Sequence, residues 1–251
     1  MSDSTYTTRM QSLGRNLLSM TDLTSLNDSD DVQSIQKLLE LASTSAGKVA
    51  AVCVFSRFIP VVRPALDGTG IALAVVANFP EGAPDAQAAA AEIEKAIAEG
   101  ANEIDVVFPY RALNAGDAKS GSALVRACRA ACGDRTLLKV ILETGQLKKK
   151  DIRHAAEIAC DEGAHFLKTS TGKTQPGATL EAVGVLLDVI ALYEKRGISI
   201  GLKVSGGIRT VEQAREYLEL YEGVLGVGTA NAKNFRLGAS SLVKDILTVL
   251  R

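Results

Sequence analysis

The chain has 251 residues, 47% of them hydrophobic, enough to bury one sizeable core and of the length an α/β barrel takes as one domain. Lys and Arg number 28 against 29 Asp and Glu, so no global field draws nucleic acid or an anionic membrane surface, and an anionic ligand needs a local site. The cysteines, Cys53, Cys128, Cys132 and Cys160, include no C-x-x-C pair, and His154 and His165 lack zinc-motif spacing; this argues against a protein-built metal site, and so few cysteines suit a reducing compartment.

Residues 1–17 read as a polar, helix-prone extension without the apolar core of a signal peptide. No run reaches the roughly 18 apolar residues of a spanning helix, so the expected location is the cytoplasm. Beyond the extension, short β-rich apolar runs fall at 18–24, 49–55, 71–77, 103–108, 137–143, 165–170, 198–205 and 224–229. Segments with helical periodicity separate them. Ala89, Ile93, Ala96 and Ile97 make one apolar stripe, stopped by Gly100; Ile152, Ala155, Ala156, Ala159 and Cys160 make another, stopped by Gly163. Cys128 and Cys132, four apart on a helix-like stretch, read as small packed hydrophobes. Eight strands alternating with helices over this length predict a closed (β/α)8 TIM barrel, a single domain over 1–251.

Strands buried on both faces should be apolar throughout, and several here are not. NEIDVVF carries Asp105, LLKVILE carries Lys139 and Glu143, HFLKTST carries Lys168 and IGLKVSGG carries Lys203. Alternation puts Ile104, Val106, Leu138, Val140, Leu167, Leu202 and Val204 toward the helices and the charges into the barrel. Asp105 and Lys168 each lie five residues past the glycine of a helix-ending Glu-Gly-Ala, which predicts a similar height on strands four and six. Lys203 on strand seven joins them. A lysine desolvated beside another cation loses its proton readily, and a neutral amine is a nucleophile; this makes Lys168 the candidate. Lys139 reads as a structural partner of Glu143 or Asp105. The alternative for the whole cluster is an ion-pair network that fixes barrel register.

Val204-Ser205-Gly206-Gly207-Ile208-Arg209 follows strand seven, and Arg236-Leu237-Gly238-Ala239-Ser240-Ser241 leads into a helix over 242–250. In barrels the loops after strands seven and eight, with a helix N-terminus, form the recurring phosphate site. Glycine lets backbone N–H groups approach an anion, and Ser240 or Ser241 can cap the helix. Thr171, Gly172 and Lys173, after strand six, add a hydroxyl and a cation. No Walker or dinucleotide-binding motif is present.

The motifs MTDLTSLN, VCVFSRFIP, VVANFPEG, NEIDVVFPYRAL, LKVILETGQL, HFLKTSTGK, GLKVSGGIRT and FRLGASSL together resemble the deoxyribose-phosphate aldolase family over nearly the whole chain. The resemblance implies a class I, cofactor-free lyase that reversibly cleaves 2-deoxy-D-ribose 5-phosphate to D-glyceraldehyde 3-phosphate and acetaldehyde. Lys168 would form the Schiff base, Lys203 would modulate it and Asp105 would join in proton transfer. Asp22 and Thr24 would lie near the sugar, while Gly172, Lys173, Gly206, Gly207, Gly238 and Ser240 or Ser241 would hold the phosphate. Some members carry a polar tail ending in a tyrosine that assists proton transfer; this sequence stops at Arg251, so Asp105, Lys203 and water are expected to suffice. The partners implied are phosphosugar and aldehyde substrates, with no nucleic acid and no membrane, and a homodimer is the assembly considered. Another class I phosphosugar aldolase or transaldolase, or an inactive phosphosugar-binding barrel, stays open as an alternative.

Overall fold

The computed structural model describes residues 3–250, with side chains from residue 8 onward. Strands β1 (Thr21–Thr24), β2 (Ala51–Val54), β3 (Ala72–Ala77), β4 (Glu103–Val107), β5 (Leu137–Ile141), β6 (Phe166–Lys168), β7 (Gly201–Ser205) and β8 (Phe235–Ala239) form a closed parallel barrel in chain order. β1 closes it, with Asp22 opposite Gly238 of β8 on one side and Ala51 of β2 on the other. Around it lie α1 (Asp3–Ser19), α2 (Val32–Ala42), α3 (Ile59–Leu66), α4 (Ala86–Ala98), α5 (Tyr110–Asn114), α6 (Ala118–Cys132), α7 (Lys149–Asp161), α8 (Leu180–Glu194), α9 (Val211–Leu225) and α10 (Leu242–Val249). This is the (β/α)8 architecture expected from the alternation. A small antiparallel pair, Ser43–Thr44 with Gly47–Lys48, stands outside the barrel.

Helical spacing decides which face each helix buries. On α7 the buried residues are Ile152, Ala155, Ala156, Ala159 and Cys160, and Gly163 just beyond turns the chain at φ +87°. A buried Ile of this kind contributes about 1.5–3 kcal/mol of hydrophobic stabilisation. Ala89, Ile93 and Ala96 do the same on α4, with Ile97 partly covered. Cys128 and Cys132 are buried on α6 as free thiols.

The strand alternation sorts the barrel into two chemistries. Ile104, Val106, Leu138, Val140, Leu167, Leu202 and Val204 join the apolar layer under the helices. Inside the barrel, β2 and β3 present Ala51, Cys53, Ala74 and Val76, a small apolar cluster closed by Leu26. The remaining strands present charges.

The eighth strand differs from the expected one. Residues 224–229 finish α9 and turn outward, with Val227 89% exposed and Gly226 and Gly228 at φ +115° and +74°. The ladder is made instead by Phe235–Ala239. Its inward residues are Arg236 and Gly238, so it lacks the continuous apolar run that marks a buried strand, whereas the glycines at 226 and 228 end a helix rather than pair. β1 also starts later than expected, because α1 continues through Ser19.

Candidate active site

Six buried side chains of alternating charge close a ring inside the barrel. Asp22 of β1 lies 2.5 Å from Lys203 of β7, which lies 2.7 Å from Asp105 of β4; Asp105 holds Lys139 of β5 at 2.9 Å. Lys139 binds Glu103 of β4 at 2.6 Å, Glu103 binds Arg236 of β8 at 2.9 Å, and Arg236 returns to Asp22 at 2.6 Å. Asp22 Oδ2 meets Lys203 off the hydrogen-bonding direction, so that link is a charge contact rather than a directed hydrogen bond. Lys168 of β6 hangs on this ring by one bond, Nζ to Asp105 Oδ2 at 2.8 Å.

Strand register explains the meeting. Lys168 pairs across the ladder with Lys203, and Lys203 with Arg236, so their side chains enter the barrel side by side. Asp105 pairs with Lys139 in the same way. Gly238 is needed above them, because a Cβ there would lie 3.0 Å from Lys203 Cε and 2.8 Å from Ser205 Cβ.

The cations differ in what holds their protons. Burial alone favours the neutral amine of Lys203, but the Asp105 and Asp22 carboxylates outweigh it and raise its pKa. Lys139 is raised likewise, against its burial, by Asp105, Glu103 and Asp22. Lys168 goes the other way: burial is the largest cause of its lowered pKa, Asp105 opposes it and the Lys203 cation reinforces it. Asp105 and Asp22 stay ionised, since the surrounding cations override the upward push of burial.

Above the ring opens a cavity of about 280 Å³ at the C-terminal ends of the strands. Lys168 is the only member of the cluster that lines it. Thr24, Thr171, Gly172, Lys173, Gly206, Gly207, Gly238, Ser240 and Ser241 form its wall, whereas Lys203, Asp105 and Asp22 lie beneath the floor. Asp22, expected near the bound sugar, does not line the cavity and lies against Lys203 and Arg236. Gly206 and Gly207 turn at φ +97° and +92°, a conformation open to glycine that carries the β7 loop over the cavity. The Thr169 hydroxyl donates to the Ser205 carbonyl and accepts from the Ser205 amide, both at 2.9 Å, which ties the ends of β6 and β7 together.

Two local expectations are corrected. Of the two partners expected for Lys139, Asp105 holds it and Glu143 does not: Glu143 sits past the end of β5 at φ +54° and accepts hydrogen bonds from the Thr171 amide and hydroxyl, holding the β6 loop. Ser241 occupies the N-cap position of α10 but makes no side-chain capping bond. Reasoning from sequence also missed Glu103 and Arg236 in the ring, and Ser25, Asn27, Gln175, Ser205 and Arg209 on the wall. The parity of Glu103 with Asp105 was the available signal for the first. Among the described residues, no acidic residue lines the cavity, while Lys173 and Arg209 do, so its wall suits an anion.

A family model for DeoC/LacD family aldolases matches residues 17–230. Among solved structures, a protein described provisionally as a deoxyribose-phosphate aldolase from Toxoplasma gondii superposes with a TM-score of 0.89 at 24% identity, covering 97% of this chain and 96% of that one. A similarly described protein from Coccidioides immitis gives a TM-score of 0.82 at 26% identity, over 99% and 98%. A tetrameric deoxyribose phosphate aldolase from Aeropyrum pernix gives 0.74 at 23% identity, over 99% and 98%.

Proposed function

The chain belongs to the DeoC/LacD aldolase family, and from that premise we propose that it is a class I aldolase whose Lys168 forms an imine with 2-deoxy-D-ribose 5-phosphate, releasing D-glyceraldehyde 3-phosphate and acetaldehyde reversibly. One observation carries the reading: Lys168 alone among the clustered cations reaches the cavity, and it is the one whose proton is loosened.

The free amine of Lys168 adds to the C1 aldehyde of the open-chain sugar, and the carbinolamine loses water to give an iminium. Lys203, charged and 2.7 Å from Asp105, supplies the proton that leaves with that water. The iminium then stands where the Lys168 ammonium stood, against Asp105 Oδ2, so the carboxylate stabilises the charge that develops. When the C3 hydroxyl gives up its proton to a base, the C2–C3 bond breaks, glyceraldehyde 3-phosphate departs and the electron pair remains as an enamine. Protonation of the enamine carbon and hydrolysis return acetaldehyde and Lys168.

The phosphate belongs at the opposite wall, against the Gly206–Gly207 turn, Gly172, Gly238, Ser240 and Ser241, with Lys173 as a counter-charge. That contact is remote from the breaking bond and contributes orientation. The reading is tested by comparing cleavage of 2-deoxy-D-ribose 5-phosphate, ribose 5-phosphate and fructose 1,6-bisphosphate in EDTA. The deoxy sugar should be cleaved to acetaldehyde at an undiminished rate. Loss of turnover restored by zinc would sink the imine mechanism, and preference for a fructose phosphate would point to another class I aldolase.

A further inference from the structure

Of the four ring members with no place in the steps above, Asp22 touches Lys203 and Lys139 touches Asp105, whereas Glu103 and Arg236 touch none of the reacting groups. Glu103 and Arg236 do not line the cavity and touch neither Lys168 nor the space a sugar would occupy. Both are nevertheless buried in the middle of the barrel, where an ion pair costs desolvation that an apolar pair of similar volume would not. Their position in the ring gives them a use. With Asp22, Lys203, Asp105 and Lys139 they complete three cations against three carboxylates, each carboxylate lying between two cations. Lys168 is then a fourth cation on a circuit that is neutral without it.

We propose that Glu103 and Arg236 are positioning residues that set the charge balance of the ring so that Lys168, and no other lysine of the cluster, is the one present as a free amine. The inference rests on the imine reading of Lys168. Arg236 acts through two routes of contact: through Asp22 to Lys203, and through Glu103 to Lys139, both of which end on Asp105, the carboxylate that Lys168 shares. Its guanidinium holds its proton throughout the working pH range, so it anchors one positive charge that cannot be traded. Phe166, beside Lys168 on β6, lies 5.8 Å from that guanidinium and helps keep it in place. The groups around Lys168 are Asp105 and Glu103 from β4, Lys139 from β5, Lys203 from β7, Arg236 from β8, Asp22 from β1 and the Cys53 thiol from β2. Removing a cation from this set leaves a carboxylate charge that Lys168 can answer by staying protonated. Removing an anion leaves a surplus of positive charge that Lys168 relieves by releasing its proton.

The two residues should therefore move the pH dependence of turnover in opposite directions. Arg236→Gln should shift the rising limb to higher pH, lowering turnover about tenfold at a fixed pH on that limb. Glu103→Gln, nearly isosteric and still able to hydrogen-bond, should shift the limb to lower pH. The double variant should return toward the parent, and Arg236→Lys, which keeps the charge, should stay close to it. Wild-type enzyme trapped with acetaldehyde and borohydride serves as the reference. If Arg236→Gln does not fold, the direction given by Glu103→Gln decides alone. Shifts of opposite sign with cancellation in the double variant support the inference. Unmoved limbs, or limbs moving the same way, overturn it while Lys168 is still labelled in the wild type; no label on wild-type Lys168 overturns the imine reading and the inference with it.

Discussion

Below Lys168 lie six charged side chains from five strands; above it, the cavity wall is mostly glycine, serine and threonine carried on loops. The floor works through side chains held by strand register, and each member is fixed by two others. The rim presents the Gly206–Gly207 turn and the serines at the start of α10, with Lys173 and Arg209 as its cations. Rates should therefore respond to changes in the floor, and affinity to changes in the rim.

Lys168→Leu is the largest break. Turnover should fall by roughly four orders of magnitude or more, since the covalent route is removed. The fold should survive and even gain stability, because the ring remains paired and a desolvated amine is replaced by a hydrocarbon. Activity at more than a few per cent of wild type in a folded protein would contradict the assignment of floor and rim.

Acid is a milder break of the same floor. The folded pKa values of Asp22 and Asp105 lie below the ordinary 3.8, so their pairing stabilises the fold fully above that pH and is lost as pH falls below it. Lys139 and Lys203 are raised above 10.5, so their contribution is present below that value and is lost only as pH rises beyond it. The unfolding midpoint, followed by circular dichroism, should drop as pH is taken below 3.8. A midpoint indifferent to that change would mean the ring does not hold the barrel.

At the rim, Ser240→Glu places a carboxylate on the cavity wall. KM for the phosphorylated sugar should rise about tenfold by repulsion of the dianion, with kcat little changed. An unchanged KM in a folded variant would move the phosphate elsewhere.

The same division governs what could be read from the sequence. Asp105, Lys168 and Lys203 were legible because a charge in an apolar parallel strand is anomalous, and alternation then fixes its direction. Seven of the eight strands were legible as short β-rich apolar runs between helical segments. Arg236 was hidden because its strand alternates charge and glycine inward and so never presents a continuous apolar run. Glu103 stood in plain view two residues before Asp105, but its partner lay on that unrecognised strand. Of the two carboxylates considered for Lys139, Asp105 holds it, whereas Glu143, in a left-handed conformation past the strand end, turns toward Thr171. The rim residues were legible as a pattern of glycine and serine at strand ends; Arg209 and Gln175, which depend on how the loops lie, were not.

Under the proposed mechanism Lys168 is the nucleophile and its neighbours remain charged. Incubating the enzyme with acetaldehyde and borohydride, then mapping peptides by mass, tests it most directly. An ethyl group should appear on the peptide containing Lys168 and be absent from that of Lys203 and that of Lys139. Label on Lys203 would reverse the two lysines, and cleavage of the sugar phosphate with no lysine labelled would contradict the account.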